Sequence, residues 1–285
     1  MEAFRYQSPM DESRLRAACR KIRHVALDMD GTIYLGSALF PFTPAFLESL
    51  RSRGIGYSFL TNNPTRSRKD YVGKLMRMGI QVSEDQVLTS SVATIGYLRA
   101  QLPQVRRLFL LGTPSMQREF GEAGFELTRD DPADRPDALV VAFDPTLTYD
   151  RFCRAAWWAS KRDIPYIATN PDWVCPTDRE TILIDCGSLC KALEGAVGRI
   201  PDTVIGKPSP LMLNGLCSSL GLRPNEVAVC GDRLYTDVAS ARNAGCFGVL
   251  VLSGETTLET ALAADPAPDL IAADVSEFGK ILTTL

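Results

Sequence analysis

The chain has 285 residues, enough for one large domain or two of ordinary size. Apolar residues make up 45% and charged residues 23%, an ordinary globular mixture, and a net charge of -3 leaves no basic surplus for nucleic acid or an anionic membrane. One histidine, His24, excludes any metal site built on several histidines, and no apolar run reaches the roughly 18 residues needed to span a bilayer.

Read in chain order, the N-terminal residues Met1 to Gln7 lack the apolar core of a signal peptide, so a cytoplasmic protein is expected. Arg14, Arg16, Arg20, Lys21 and Arg23 follow Asp11 and Glu12 and read as a solvated helix face. Apolar runs predict strands over 25–28, 56–61, 107–111, 138–143, 166–168, 227–231, 248–252 and 270–272. Several are apolar throughout, as buried parallel strands are. Tyr71, Val72, Leu75, Met76 and Gly79 recur at helical spacing, as do Leu213, Leu216 and Leu220. Thr43 before Pro44, and Thr148 two residues before Asp150, predict helix N-caps. The alternation implies βαβ units and an α/β fold with a doubly wound, mostly parallel sheet. The polar run 128–136 reads as a loop. The eight cysteines are scattered and are expected to be reduced and packed as small hydrophobes; Cys186 and Cys190 lack the second pair that a zinc site needs.

The chemistry-bearing residues stand at strand ends. Val25-Ala26-Leu27 runs into Asp28-Met29-Asp30-Gly31-Thr32, two carboxylates where charge is costly without a cation or a reaction to use it. If the strand continued, Asp28 and Asp30 would share a face. The 56–61 strand ends in Thr61-Asn62-Asn63, and the 227–231 strand ends in Gly231-Asp232, with Asp237 following. Ile205-Gly206-Lys207-Pro208 lies between. It is no P-loop, because Pro201 occupies the first glycine position and Pro208 the Ser/Thr position. Ligands of parallel sheets bind beyond the carboxyl ends of the strands, so Asp28, Asp30, Thr61, Asn62 and Asp232 can meet there. Gathered carboxylates need a cation, and hard oxygen ligands suit Mg²⁺. A lysine, a hydroxyl and turn N–H groups add a cradle for a phosphoryl group. His24, at a strand start, reads as a partly buried structural residue. That leaves a carboxylate as nucleophile, able to form an aspartyl-phosphate, with a second carboxylate two residues on as proton carrier.

These four motifs, in order and local sequence, resemble the haloacid dehalogenase superfamily, subclass IIA, the NagD and 4-nitrophenylphosphatase group. The runs Leu111-Gly112-Thr113-Pro114, Ala168-Thr169-Asn170-Pro171-Asp172 and Gly206-Lys207-Pro208-Ser209-Pro210 are similar to that group. The resemblance implies a Rossmann-like catalytic core over 1–87 plus 188–285 and an inserted α/β cap of the C2a type over 88–187. It implies a Mg²⁺-dependent phosphatase for a small phosphomonoester, with a phosphomutase or a non-catalytic phosphate-binding or signalling relative as alternatives. Asp28 would be nucleophile and metal ligand, Asp30 general acid and base with its carbonyl on the metal, and Asp232 the third ligand. Thr61, Asn62 and Asn63 would bind the phosphoryl group, Lys207 would neutralise charge, and Asp237 would hold Lys207 or a metal-bound water. Trp173 and Cys175, in the run 169–176, would face the substrate from the cap. The group's usual Pro-Gly-x-Gly-Ser/Ala stretch is replaced by Leu183-Ile184-Asp185-Cys186-Gly187-Ser188, which places Asp185 where a small residue is usual, near the expected domain junction. A small phosphorylated metabolite as partner and a homodimer through the cap complete the expectation.

Overall fold

The computed structural model describes residues 6–175 and 180–284. In chain order the strands are β1 (His24–Asp28), β2 (Tyr34–Leu35), β3 (Ala38–Leu39), β4 (Gly56–Thr61), β5 (Val87–Thr89), β6 (Arg107–Leu111), β7 (Glu126–Leu127), β8 (Ala138–Val141), β9 (Tyr166–Ala168), β10 (Val174–Cys175), β11 (Leu183–Ile184), β12 (Thr203–Val204), β13 (Val227–Gly231), β14 (Phe247–Val251) and β15 (Leu270–Ala272). They form a six-stranded sheet in the order β15-β14-β13-β1-β4-β5, a five-stranded sheet β12-β9-β8-β6-β7 and two short hairpins. From β15 to β4 the strands of the larger sheet pair in parallel, as do all those of the five-stranded sheet.

The chain divides into two compact units. One comprises 6–60, Lys74–Leu88 and 207–284; the other comprises Thr61–Gly73 and Thr89–Gly206. In the first unit β1 sits centrally, with Leu27 opposite both Cys230 of β13 and Phe59 of β4. Val25, Ala26 and Leu27 are fully buried, which is why this strand reads as one apolar run. The chain leaves β1 toward β4 and returns later to β13 on the other side, so the winding reverses at β1. A crevice at the carboxyl ends of the strands forms at such a reversal. At the border of this sheet Gln7 pairs with Ile271 of β15 through two backbone hydrogen bonds of 3.0 and 2.8 Å, and Ser8 Oγ donates to the Asp269 carbonyl.

The second unit extends further than the span 88–187. The helix Cys186–Val197 sinks Cys186, Leu189, Cys190 and Leu193 into the apolar core formed with Phe109, Leu139 and Tyr166. β12 then adds an edge strand to β9. Thr61–Gly73 is tied to the same unit: Thr113 Oγ1 donates to the Thr65 carbonyl at 3.0 Å, and the Arg68 amide donates to Glu119 Oε1 at 2.8 Å.

Three predicted strands shift at their ends. β1 takes in His24, one residue earlier than expected. β8 stops at Val141, where the chain turns into a loop that Asp144 Oδ1 holds by accepting from the Thr146 amide. β14 begins at Phe247, in register with Ala228. Thr148 does cap the helix Tyr149–Ala159, accepting from the Arg151 amide. Thr43 does not cap. It is the first residue of the helix Thr43–Ser52, fully buried, and its hydroxyl donates to the Ile33 carbonyl at 2.8 Å; Phe42 is the N-cap. Among the described residues the eight cysteines form no disulfide, and six of them are buried. Among the described residues no helix is long and apolar enough to cross a membrane.

Candidate active site

β1 ends on Asp28, and β13, its neighbour, ends on Gly231 just before Asp232. Lys207 reaches this edge from the loop after β12. Its Nζ donates to Asp28 Oδ1 at 2.5 Å and to Asp237 Oδ1 at 2.6 Å. Asp237 lies in the π-helical turn Leu234–Val238, where its Oδ2 accepts from the Arg233 amide at 3.2 Å. One carboxylate oxygen from each of Asp28, Asp232 and Asp237 lies within 4.8 Å of the others. Lys207, Asp232 and Asp237 are buried, whereas the Asp28 side chain keeps 16% of its surface open to an incoming molecule.

Burial raises the Asp28 carboxyl above its usual range; Lys207 opposes the rise, and Asp237 and Asp232 add to it. Burial also raises Asp232, against the hydrogen bond from the Glu255 amide. Burial alone would lower Lys207, but the flanking carboxylates of Asp237 and Asp28 override it, so Lys207 is held protonated. Nearby Arg233 is matched by Glu255 at 2.9 Å. Three carboxylates against one ammonium leave two negative charges uncompensated.

The donor set fits a small divalent cation. Asp232 Oδ2 accepts from the Glu255 amide at 2.8 Å, but Asp232 Oδ1 is buried with no hydrogen-bond partner among the described residues. An unsatisfied buried oxygen of this kind costs about 1–3 kcal/mol, more when charged, so it points to a ligand. Glycines press close around it. A Cβ on Gly254 would lie 2.1 Å from Asp232 Oδ2, and one on Gly31, whose φ is +82°, would lie 2.4 Å away. A Cβ on Gly231 would lie 2.2 Å from Asp237 Cγ.

Asp30 is solvent-exposed and outside the buried cluster. β1 stops at Asp28, and the chain turns at Gly31, whose amide donates to the Tyr34 carbonyl, so the two acids do not continue one strand. His24, at the other end of β1, is buried, and its Nε2 lies 2.9 Å from Ser58 Oγ.

The remaining predicted residues belong to the second unit. Thr61 closes β4, and its Oγ1 accepts from the Asn63 amide at 3.1 Å. Asn62 Nδ2 donates to Asp172 Oδ2 at 2.8 Å, and the Asn62 carbonyl accepts from Ser90 Oγ at 2.6 Å. Asn63 Oδ1 accepts from Thr65 at its amide and hydroxyl, while Nδ2 points at Cys175 Sγ, 3.5 Å away. Cys175 is half-buried in the β10–β11 hairpin, and Trp173 beside it is exposed. Asp185 lies inside this unit, well before its end at Gly206.

Sequence patterns for haloacid dehalogenase-like hydrolases match residues 25–126 and 204–278. The chain superimposes on 4-nitrophenylphosphatase of Thermotoga maritima with a TM-score of 0.86 at 39% identity, covering 92% of this chain and 98% of that one. The chain belongs to the haloacid dehalogenase-like hydrolases, in the NagD and 4-nitrophenylphosphatase group. This hydrolase is also 32% identical to phosphoglycolate phosphatase 1A of Arabidopsis thaliana, over 88% of this chain and 75% of the relative. It shares 28% identity and a TM-score of 0.83 with glycerol phosphate phosphatase of Mycobacterium tuberculosis, solved in complex with magnesium, over 92% and 78% of the two chains.

Sequence reasoning missed several groups in this hydrolase. Glu255 contributes its amide to Asp232, and Thr256 Oγ1 donates to the Asp232 carbonyl at 2.6 Å. The signal was available, since Ser253-Gly254-Glu255-Thr256 follows another strand, β14. Asn170 and Asp172 belong to a run similar to the family's, but their side-chain roles are not legible there: Asp172 Oδ2 accepts from Asn62 Nδ2, and Asn170 Nδ2 donates to the same oxygen.

Proposed function

We propose that this protein is a Mg²⁺-dependent phosphatase that hydrolyses a small phosphomonoester through an aspartyl-phosphate at Asp28. The observation that carries the reading is the buried trio Asp28, Asp232 and Asp237 with Lys207 and the unpartnered Asp232 Oδ1. Asp28 and Asp232, with the Asp30 carbonyl, would hold the ion, which supplies positive charge against the phosphoryl oxygens. Asp28 attacks phosphorus while exposed Asp30 gives a proton to the leaving alkoxide. Asp30 then takes a proton from water, the water oxygen attacks the phosphoryl group, and inorganic phosphate leaves with Asp28 regenerated. Lys207 shields Asp28 so that two anions can approach. Thr61 and Asn62, at the end of the strand beside β1, bind the transferring phosphoryl group, and Asn63 holds their turn. Trp173 and Cys175, in the second unit, would contact the part of the substrate beyond the phosphate.

Phosphoglycolate, glycerol phosphate and 4-nitrophenyl phosphate, named in the relatives, share a single phosphate ester on a small carrier. The small negative net charge likewise supports a free metabolite rather than nucleic acid. The purified protein should release 4-nitrophenolate from 4-nitrophenyl phosphate with Mg²⁺ and stop in excess chelator. Asp28→Asn should be inactive and folded. Full turnover in chelator, or in that variant, overturns the mechanism.

A further inference from the structure

Asp185 has no place in the chemistry above, yet it is a buried carboxylate. It is the N-cap of the helix Cys186–Val197, with Oδ1 accepting from the Cys186 amide at 2.5 Å. The same Oδ1 accepts from Asn170 Nδ2 at 2.8 Å.

Asn170 is fully buried and its amide is fully committed. Nδ2 donates to Asp185 Oδ1 and to Asp172 Oδ2, both at 2.8 Å, and Oδ1 accepts from Thr169 Oγ1 at 2.8 Å. A flip of this amide would turn its carbonyl against two carboxylates, so one orientation is selected. Asp172 Oδ2 in turn accepts the Asn62 amide at 2.8 Å. An unbroken chain therefore runs from Asp185 through Asn170 and Asp172 to Asn62.

We propose that Asp185 is a positioning residue, which through Asn170 and Asp172 fixes the side-chain amide of Asn62 for phosphoryl binding. This rests on the reading of Asn62 as a phosphoryl ligand. Without the Asp185 carboxylate one N–H of Asn170 loses its acceptor, and the amide is held only by Asp172 and the Thr169 hydroxyl, one of its two carboxylate anchors gone. Asp172 would shift, and the Asn62 amide would lose its anchor.

The loop backbone has separate supports that do not need the carboxylate. The Asp185 amide donates to the Trp173 carbonyl at 3.0 Å, and the Gly187 amide donates to the Asp172 carbonyl at 2.8 Å. A Cβ at Gly187 would lie 2.2 Å from the Pro171 carbonyl oxygen, so the helix start and the loop lie in direct contact. The carboxylate is also kept against its own preference. Burial and Asp172 push it up to about 6, although Asn170 and the Cys186 amide pull it down.

The test is steady-state kinetics on 4-nitrophenyl phosphate at saturating Mg²⁺. Asp185→Ser keeps an N-cap oxygen but is too short to reach Asn170, and Asp185→Gly supplies a second variant with a residue accepted at N-caps. Both should raise KM about tenfold at unchanged kcat, as expected when a binding donor is loosened. Isosteric Asp185→Asn, which keeps Oδ1, should stay within about twofold of wild type. In an Asn62→Ala background, Asp185→Ser should add nothing, because it acts through Asn62. A merely structural role predicts lower kcat from a smaller folded fraction, unchanged KM and additivity with Asn62→Ala. That pattern, or wild-type KM in both the Ser and Gly variants while Asn62→Ala raises it, overturns the role of Asp185. If Asn62→Ala itself leaves KM unchanged, the phosphoryl-ligand reading fails first and takes this inference with it.

Discussion

His24 offers a test of the fold beneath the site. Its imidazole is 6% exposed at the start of β1, and a Cβ on Gly56 would lie 2.6 Å from its Nδ1. Burial lowers its pKa from 6.5 to about 4. The folded chain thus holds a neutral ring at pH values where the unfolded chain has already bound a proton. Stability from this site is complete above pH 6.5 and is lost as the pH falls toward 4. The full effect is about 3 kcal/mol, and about 2 kcal/mol is gone at pH 5. Asp185, raised to about 6, works in the opposite sense below that pH, because there the folded chain holds the extra proton. Wild type must therefore be compared with His24→Gln at each pH, where the Asp185 contribution cancels. Urea unfolding should show wild type losing about 2 kcal/mol relative to the variant between pH 7.5 and pH 5. Circular dichroism is the right probe, because Trp157, Trp158 and Trp173 all lie in the second unit. The chain's one histidine also gives a single C2-proton NMR signal that needs no assignment. A folded-state midpoint at 6–7, or parallel pH profiles for the two proteins, would refute the reasoning. Phosphatase activity should survive His24→Gln.

Gly254→Ala places a methyl group against Asp232 Oδ2, and activity should require about 10–100 times more Mg²⁺; an unchanged Mg²⁺ titration would count against the metal site. Lys207→Met leaves Asp28 and Asp237 buried without their cation, so the metal-free protein should lose about 3–5 kcal/mol in urea unfolding, part of it restored by Mg²⁺. Asp30→Asn should slow breakdown of the aspartyl-phosphate, so that phosphorylated protein accumulates in a quenched reaction; equal turnover to wild type would remove its proton-carrying role.

The parallel core was legible because its strands are buried on both faces, and an apolar run such as Val25-Ala26-Leu27 records that directly. The pieces that escaped notice are two or three residues long, among them β7 and β12, too short to show a period of two. Thr43 misled for a different reason. A threonine before proline fits a cap, but its burial against the Ile33 carbonyl is a tertiary fact. Asp28, Thr61 and Asp232 were visible because polar residues interrupt apolar strands there. The Asn170–Asp172–Asp185 network was not, because each member taken singly looks like an ordinary turn or cap residue.

The Gln7–Ile271 bridge has a consequence for the protein's behaviour in concentrated solution. β15 is the last strand of its sheet, and an open strand border is a template on which another chain can extend the ladder. Gln7 and Ser8 occupy that border with three hydrogen bonds drawn from the far end of the sequence. Proteolytic loss of these few residues would leave the catalytic constellation untouched while opening a sticky seam, so the first symptom of a clipped sample should be precipitation rather than a fall in specific activity.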